Sequence, residues 1–364
     1  MTQVFRRIER ICDGIRAWLG NEQEILETSI ERTITEGLFP RHDVMHMVEQ
    51  VRRTVTEPAM TQWWKREIGE QKHAENGRKV LCLHAGNLPM VGLQDVIAVL
   101  LSGGVYYGKL SRKDPWLLGG LLRLLRERMP EQFGNHAVRM EDLPPAEAED
   151  VLFAGSQASV KTVQDRIHKL RLARPDARFL PRTARLSMAW IDRSQSGTEA
   201  MYSDLAEAML RYEGSGCRSV AVVVSDSPLR DVIVPLTNAA GAFLRNHPTA
   251  GEPLPVVVWW RSYLKSLGKE VYDVGSQIMV DDPEMMGREG VICWIKGDEY
   301  EVIRLARRFG SQLQSVYIPE EAGYPGALSG VGGIRLEPLK DAQSPPIDWQ
   351  PDGIDVLSWL VQRP

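Results

Sequence analysis

In the stretch Lys79-Val80-Leu81-Cys82-Leu83-His84-Ala85-Gly86-Asn87-Leu88-Pro89, an apolar run passes into a small-residue loop and then a proline. An apolar run this short, bounded by glycine, reads as a buried strand. Proline is tolerated in the first helical turn, so a helix is expected to open at Pro89. Upstream the pattern differs. Ile8, Ile11, Cys12, Ile15 and Leu19 form a stripe at helical spacing, so residues 1–75 read as helical, punctuated by Pro40 and Pro58, with Trp63 and Trp64 packing inward. Downstream, strand-like runs recur at Val105–Leu110, Val151–Ala154, Leu186–Ile191, Val220–Val224, Val256–Trp260, Val291–Ile295 and Ser315–Ile318. Helical patterns such as Leu117–Arg128, Thr198–Tyr212 and Leu229–Leu244 lie between most of them. This alternation predicts an α/β fold with mostly parallel sheets, whose sites lie beyond the carboxyl ends of the strands. Residues 245–256 and 319–333 read as loops, and Ile354, Leu357, Leu360 and Val361 as a short helix that docks back.

With 364 residues, two domains are the default. A net charge of -4 gives no general affinity for nucleic acid. The apolar runs are too short for a membrane span, and the N-terminus lacks a signal-peptide hydrophobic region, so a cytoplasmic location is expected. Cys12, Cys82, Cys217 and Cys293 are widely spaced with no C-x-x-C pair, which argues against a disulfide framework or a structural zinc. Cys12, Cys82 and Cys293 sit in apolar patterns and read as small core residues.

Cys217 stands apart, in Tyr212-Glu213-Gly214-Ser215-Gly216-Cys217-Arg218-Ser219. Glycines on both sides of Ser215 let backbone approach a ligand, and nearby amides and Arg218 favour a thiolate. It is the candidate nucleophile. Asn87, at a strand end, offers a side-chain N–H to an oxyanion; the plainer reading is an N-cap. Lys109, followed by Arg112 and Lys113, suits a phosphate or ribose, or is a solvated charge cluster. Gly103 to Lys109 nearly spells a phosphate loop, but Leu110 stands where Ser or Thr is needed and Val105-Tyr106-Tyr107 is strand-like. Gly155 and Ser156 follow the strand at Val151 and precede a helical pattern over Val160–Leu170, a place for a phosphate. His42-Asp43-Val44-Met45-His46 imitates a zinc-protease motif with a shorter acid and no third ligand, so no metal is expected.

In order, these motifs resemble the aldehyde-dehydrogenase superfamily, and within it the LuxC-type acyl-CoA reductases. The resemblance rests on Ala85-Gly86-Asn87-Leu88-Pro89, Leu100-Leu101-Ser102-Gly103-Gly104 leading to Lys109, Gly214 to Ser219, and Pro345-Pro346-Ile347-Asp348-Trp349 with Asp352-Gly353. It runs from about residue 79 to the end. Beside the helical N-terminal segment (1–75) read from periodicity, it implies a Rossmann-type nicotinamide-cofactor domain (76–210), an α/β catalytic domain (211–340) and a tail returning to the cofactor domain (341–364). It also implies roles. Cys217 would be the nucleophile, and Asn87 with the Cys217 backbone N–H the oxyanion hole. Lys109 would hold the adenosine ribose or a 2′-phosphate, and Gly155 and Ser156 would sit near the pyrophosphate. The expected cofactor is NADPH, with NADH as the alternative. The expected substrate is an acyl-CoA or other acyl thioester, and the chain is expected to be a homo-oligomer, with an acyl-transferring or synthetase partner possible. The stretch Phe179–Arg185 holds no acid where hydrolytic relatives carry a general base, and Arg182 stands near the point where LuxC-like relatives have a His. The alternatives are aldehyde oxidation or acyl-phosphate reduction within the superfamily, and a non-catalytic acyl carrier or scaffold.

Overall fold

The computed structural model describes residues 2–69, 77–192, 197–248, 253–319, 328 and 334–362. It forms two compact units, Met1–Thr183 with Pro346–Pro364, and Ala184–Pro345. The boundary therefore falls at Thr183/Ala184, not at 210/211. The strand and helix just after it belong to the second unit, and the N-terminal helices share a unit with the first sheet.

The first unit begins with α1 (Thr2–Leu19), α2 (Ile25–Thr35), α3 (Arg41–Thr54) and α4 (Glu57–Glu67). On α1 the expected stripe is buried: Ile8, Ile11, Cys12 and Ile15, joined by Trp18. Burying each such aliphatic side chain contributes roughly 1.5–3 kcal/mol. Thr56 accepts the Ala59 N–H and, with Pro58 in the first turn, starts α4. Trp63 and Trp64 are buried.

The first sheet comprises β1 (Lys79–Leu83), β2 (Val105–Lys109), β3 (Phe133–Ala137), β4 (Ala148–Ala154) and β5 (Ala173–Arg182). Its order is β3-β2-β1-β4-β5, all parallel. Helix α5 (Leu93–Ser102) links β1 to β2, α6 (Leu117–Arg128) links β2 to β3, and α7 (Val160–Lys169) links β4 to β5. Side chains alternate across the sheet: Val80, Cys82 and Leu152 pack with α1, α5 and α6, while Leu81, Leu83, Val151 and Phe153 pack with Ile167 of α7. The helix after β1 starts at Leu93, not Pro89. Residues 88–92 form a turn in which Met90 has φ 53, and Gly92 is the N-cap. Gly103 (φ 82) caps the end of α5, so it belongs to a helix terminus and not to a phosphate loop.

The second unit contains β6 (Leu186–Ile191), α8 (Glu199–Leu210), β7 (Val220–Ser225), α9 (Leu229–Asn246), α10 (Pro255–Ser266), β8 (Val271–Val274), β9 (Gln277–Val280), β10 (Val291–Lys296), α11 (Glu299–Phe309), β11 (Leu313–Ile318) and β12 (Leu336–Pro338). The sheet order is β12-β11-β6-β7-β10-β9-β8, parallel except for the β8–β9 pair. Val220 and Val223 face α8 and α9, while Val222 and Val224 face α10 and α11. The run Val256–Trp260 is helix, not strand. Pro255 opens it, Val257 and Leu264 are buried, and Val258, Trp259 and Tyr263 are exposed, a 3.6-residue period that five residues were too few to reveal. Of the two expected loops, 249–252 and most of 319–333 lie outside the described residues. The chain then returns to the first unit, where α12 (Val356–Val361) packs on α5. No described helix is long and apolar enough to cross a membrane.

Candidate active site

In the first unit the strand order reverses at β1, which has β2 on one side and β4 on the other. Leu83 pairs with both Lys109 and Phe153, and the His84 N–H donates to the Lys109 carbonyl at 3.0 Å. The loops after β1, β2 and β4 therefore leave the same sheet edge side by side, the place where open α/β sheets bind ligands. Lys109 ends β2, Asn87 lies in the loop after β1, and Gly155 and Ser156 lie in the loop after β4. Asn87 is exposed in the turn, six residues ahead of the first residue of α5, so it does not cap that helix. Lys109 is half-buried and has no ion-pair partner within 4 Å among the described residues. Burial and neighbouring Arg112 lower its pKa. Gly155 and Ser156 are exposed, and a 3-10 turn (Gln157–Ser159) separates them from α7. The Ser156 hydroxyl donates to Ser159 Oγ at 3.0 Å. The lysine at the end of β2 and the glycine-serine turn after β4, on either side of the switch strand β1, offer a cation and backbone N–H groups to phosphate oxygens.

Beneath this edge lies a buried polar group. His84 Nε2 contacts the Tyr106 hydroxyl at 2.8 Å. Arg182 donates to both carboxylate oxygens of Asp95, at 2.7 and 2.5 Å. Burial lowers the His84 pKa to about 4, against the opposing pull of Asp95. Burial also works against the Arg182 charge, but Asp95 outweighs it and raises the pKa above the ordinary arginine value. Arg182 is thus a permanent cation locked in an ion pair, and it cannot stand in for a histidine that gives up a proton. Next to it the Thr183 N–H donates to Asp352 at 2.6 Å, while Gln94 of α5 donates to the carbonyls of Ile347 (2.7 Å) and Trp349. The tail motif therefore closes over α5 and the end of β5.

In the second unit Cys217 lies in the turn before β7, at the amino end of that strand and not beyond a carboxyl end, where the sequence pattern predicts sites. Ser219 organises the turn: its N–H donates to the Gly216 carbonyl at 3.0 Å and its hydroxyl accepts the Gly216 N–H at 3.3 Å. Ser187 Oγ donates to the Cys217 carbonyl at 3.0 Å. Gly214 has φ 69, and a Cβ there would meet the Gln277 amide at 2.4 Å. Arg218 is buried. Tyr317 of β11, also buried, lies within electrostatic reach of Glu337, Arg218 and Cys217, and burial drives its pKa upward. Cys217 is half-buried, whereas Cys12, Cys82 and Cys293 are buried. Burial raises the pKa of all three, that of Cys293 to about 12.

Sequence reasoning missed Tyr106, Asp95, Tyr317 and Asp114. Only Asp114 carried a local signal, as an acid just before a helical pattern. His42 and His46 lie on α3, and the described residues contain no group of three His, Cys, Asp or Glu placed to hold a metal ion.

No curated protein matches the sequence. Among solved structures, aldehyde dehydrogenase 21 from Physcomitrella patens has a TM-score of 0.68 at 13% identity, covering 98% of this chain and 84% of that one. A benzaldehyde dehydrogenase from Corynebacterium glutamicum has a TM-score of 0.64 at 14% identity, covering 93% and 81%. The aldehyde dehydrogenase KauB from Pseudomonas aeruginosa has a TM-score of 0.62 at 14% identity, covering 86% and 72%. At these identities the likeness shows the fold, which is that of aldehyde dehydrogenases. The family described as acyl-CoA reductase (LuxC) matches residues 14–249. The chain belongs to the acyl-CoA reductase (LuxC) family.

Proposed function

We propose that this protein reduces an acyl thioester, an acyl-CoA, to an aldehyde through an acyl-enzyme on Cys217. The observation that carries the reading is the contrast among the thiols: three are buried with raised pKa values, and Cys217 alone sits half-buried on a serine-braced, glycine-flanked turn. The Cys217 thiolate forms an S–C bond to the acyl carbon, and the bond to the CoA sulfur breaks, CoA leaving as a thiolate that takes a proton from water. Asn87 and the Cys217 backbone N–H donate to the acyl oxygen while it carries negative charge. A reduced nicotinamide, held by Lys109, Gly155 and Ser156, would supply a hydride to the acyl carbon; the acyl–sulfur bond would break, giving the aldehyde and the Cys217 thiolate. Splitting one hard displacement into two easier steps is the gain from covalent catalysis.

Lys109 would hold the adenosine ribose or its 2′-phosphate, and Gly155 and Ser156 would lie at the pyrophosphate. Similar folds have been solved with NAD+ and with NADP, which supports a nicotinamide cofactor here. NADPH is proposed because Lys109, Arg112 and Lys113 are cations, and the first acid after them, Asp114, is taken up by the Met90 and Leu117 N–H groups. We place the protein in the cytoplasm as a homo-oligomer. The absence of an acid or His in Phe179–Arg185, with Arg182 committed to Asp95, favours hydride over water as the second reactant. A product assay tests this. Acyl-CoA with NADPH should give aldehyde and CoA. Turnover with a free aldehyde and NADP+, or an acyl phosphate, but none with acyl-CoA would reject it.

A further inference from the structure

Asp114 lies in the loop between β2 and α6, just past the basic stretch that starts at Lys109, and is 4% exposed. One carboxylate oxygen accepts the Met90 N–H at 2.6 Å, and the other accepts the Leu117 N–H, the first of α6, at 3.0 Å. Burial pushes its pKa up, while the backbone donors Met90, Leu117 and Leu118 stabilise the charged form. A single side chain thus ties two neighbouring loops together. Met90 needs the tie: it has φ 53, a left-handed conformation that side chains other than glycine resist, and its side chain is buried.

Asn87 stands three residues before Met90 and one residue after Gly86. Gly86 is pressed against the same β2–α6 loop, since a Cβ there would lie 1.7 Å from Ser111 Oγ. Ser111 Oγ in turn accepts the Lys113 N–H at 3.0 Å. The turn carrying Asn87 is therefore fixed before and after by Ser111 and Asp114, both from the loop that follows Lys109.

We propose that Asp114 is a positioning residue for the reduction: it holds the 86–92 turn so that the Asn87 amide is already aimed when the acyl oxygen acquires charge. This rests on the reading of Asn87 as the oxyanion donor. A donor aimed in advance needs no reorganisation during the reaction, and a loosened one loses most of its effect. The plainer role, starting α6, needs only the bond to Leu117.

The two roles separate by substitution. Asp114→Ser keeps a short oxygen able to accept the Leu117 N–H, as serine does at helix starts, but cannot hold Met90 as well. Asp114→Asn keeps the shape and sets an amide against the Met90 N–H. Kinetics with acyl-CoA and NADPH would be measured for the full-length protein, for both variants, for Asn87→Ala and for the double variant Asn87→Ala/Asp114→Ser. Hydrogen exchange would be followed over residues 84–92. The expectation is that kcat falls about tenfold in Asp114→Ser with the KM for NADPH within about twofold, as for a group acting only in the transition state. Exchange of the 84–92 turn should quicken while α6 stays protected, and the double variant should be no slower than Asn87→Ala alone. If the two substitutions multiply, or if α6 loses protection along with the turn, Asp114 does not act through Asn87 and the proposal falls while the reading of Asn87 stands. If Asn87→Ala leaves kcat unchanged, both fall. Should Asp114→Ser fail to fold, the same comparison with Asp114→Asn decides in the same terms.

Discussion

Cys217 owes its distinctness to neighbours that are small. Gly216 and Ser219 close the turn by their own hydrogen bonds, so the thiol is carried on backbone and is not packed into the core. The proposed partner Asn87 is exposed in a turn as well, and its role is tested by truncation. Asn87→Ala is expected to lower kcat about 10²–10³-fold, the usual cost of losing one oxyanion donor. NADPH affinity, read by fluorescence titration, should be unchanged; a variant altered only in melting temperature would rule the role out. Lys109 is tested against the two cofactors. Lys109→Ala should raise the KM for NADPH tenfold or more while changing that for NADH less, since a hydrogen bond to a charged group contributes about 1.5–3 kcal/mol. Equal effects on both cofactors would remove the 2′-phosphate from the account. At this scale the sequence was legible in the placing of side chains on turns next to glycine, as at Gly216-Cys217 and Gly86-Asn87. It was silent about Tyr317 and Asp95, because a single Tyr or Asp in an apolar run carries no mark of the buried group it will face.

At the scale of elements, alternation of apolar runs and helical patterns revealed β1, β2, β4, β6, β7, β10 and β11. It failed for β5, where Ala173–Arg182 mixes arginines and prolines into an exposed edge of the sheet, and for α10, where five apolar residues in a row hide a helical period. The most consequential element contact is between α5 and the end of β5, made by Asp95 and Arg182. Removing one member of a buried ion pair leaves the other charge stranded, so Asp95→Ala should cost about 3–5 kcal/mol in denaturant unfolding. His84 beside the pair adds a pH dependence. Its pKa is about 4 in the folded protein against 6.5 ordinarily, so below pH 6.5 the unfolded chain binds a proton that the folded chain refuses. Stability should therefore be full above pH 6.5 and fall as pH drops toward 4, by about 3 kcal/mol for this group. Melting curves of the protein and of His84→Gln across that range check this. An unchanged pH slope in the variant would mean that His84 is not the group responsible.

For the whole molecule, each unit has its own sheet and core, and the first is completed by the tail. Arg178 donates to the carbonyls of Trp359 (3.0 Å) and Gln362 (2.8 Å) and lies over the Trp359 ring, while Trp63 donates to Asp355 at 2.7 Å. The return of the tail was visible as the stripe ending in Leu360 and Val361. The division at Thr183 was not, because no run of glycine, proline or serine marks it and β5 passes almost directly into β6. The central claim, covalent thiol chemistry at Cys217, is tested most directly by intact-protein mass spectrometry after incubation with acyl-CoAs of several chain lengths in the absence of any nicotinamide. The account predicts a mass increase of one acyl group, mapped to the peptide containing Cys217, lost on adding NADPH with release of aldehyde, and missing from Cys217→Ser. An unmodified protein at every chain length, or an adduct that persists in Cys217→Ser, would contradict it.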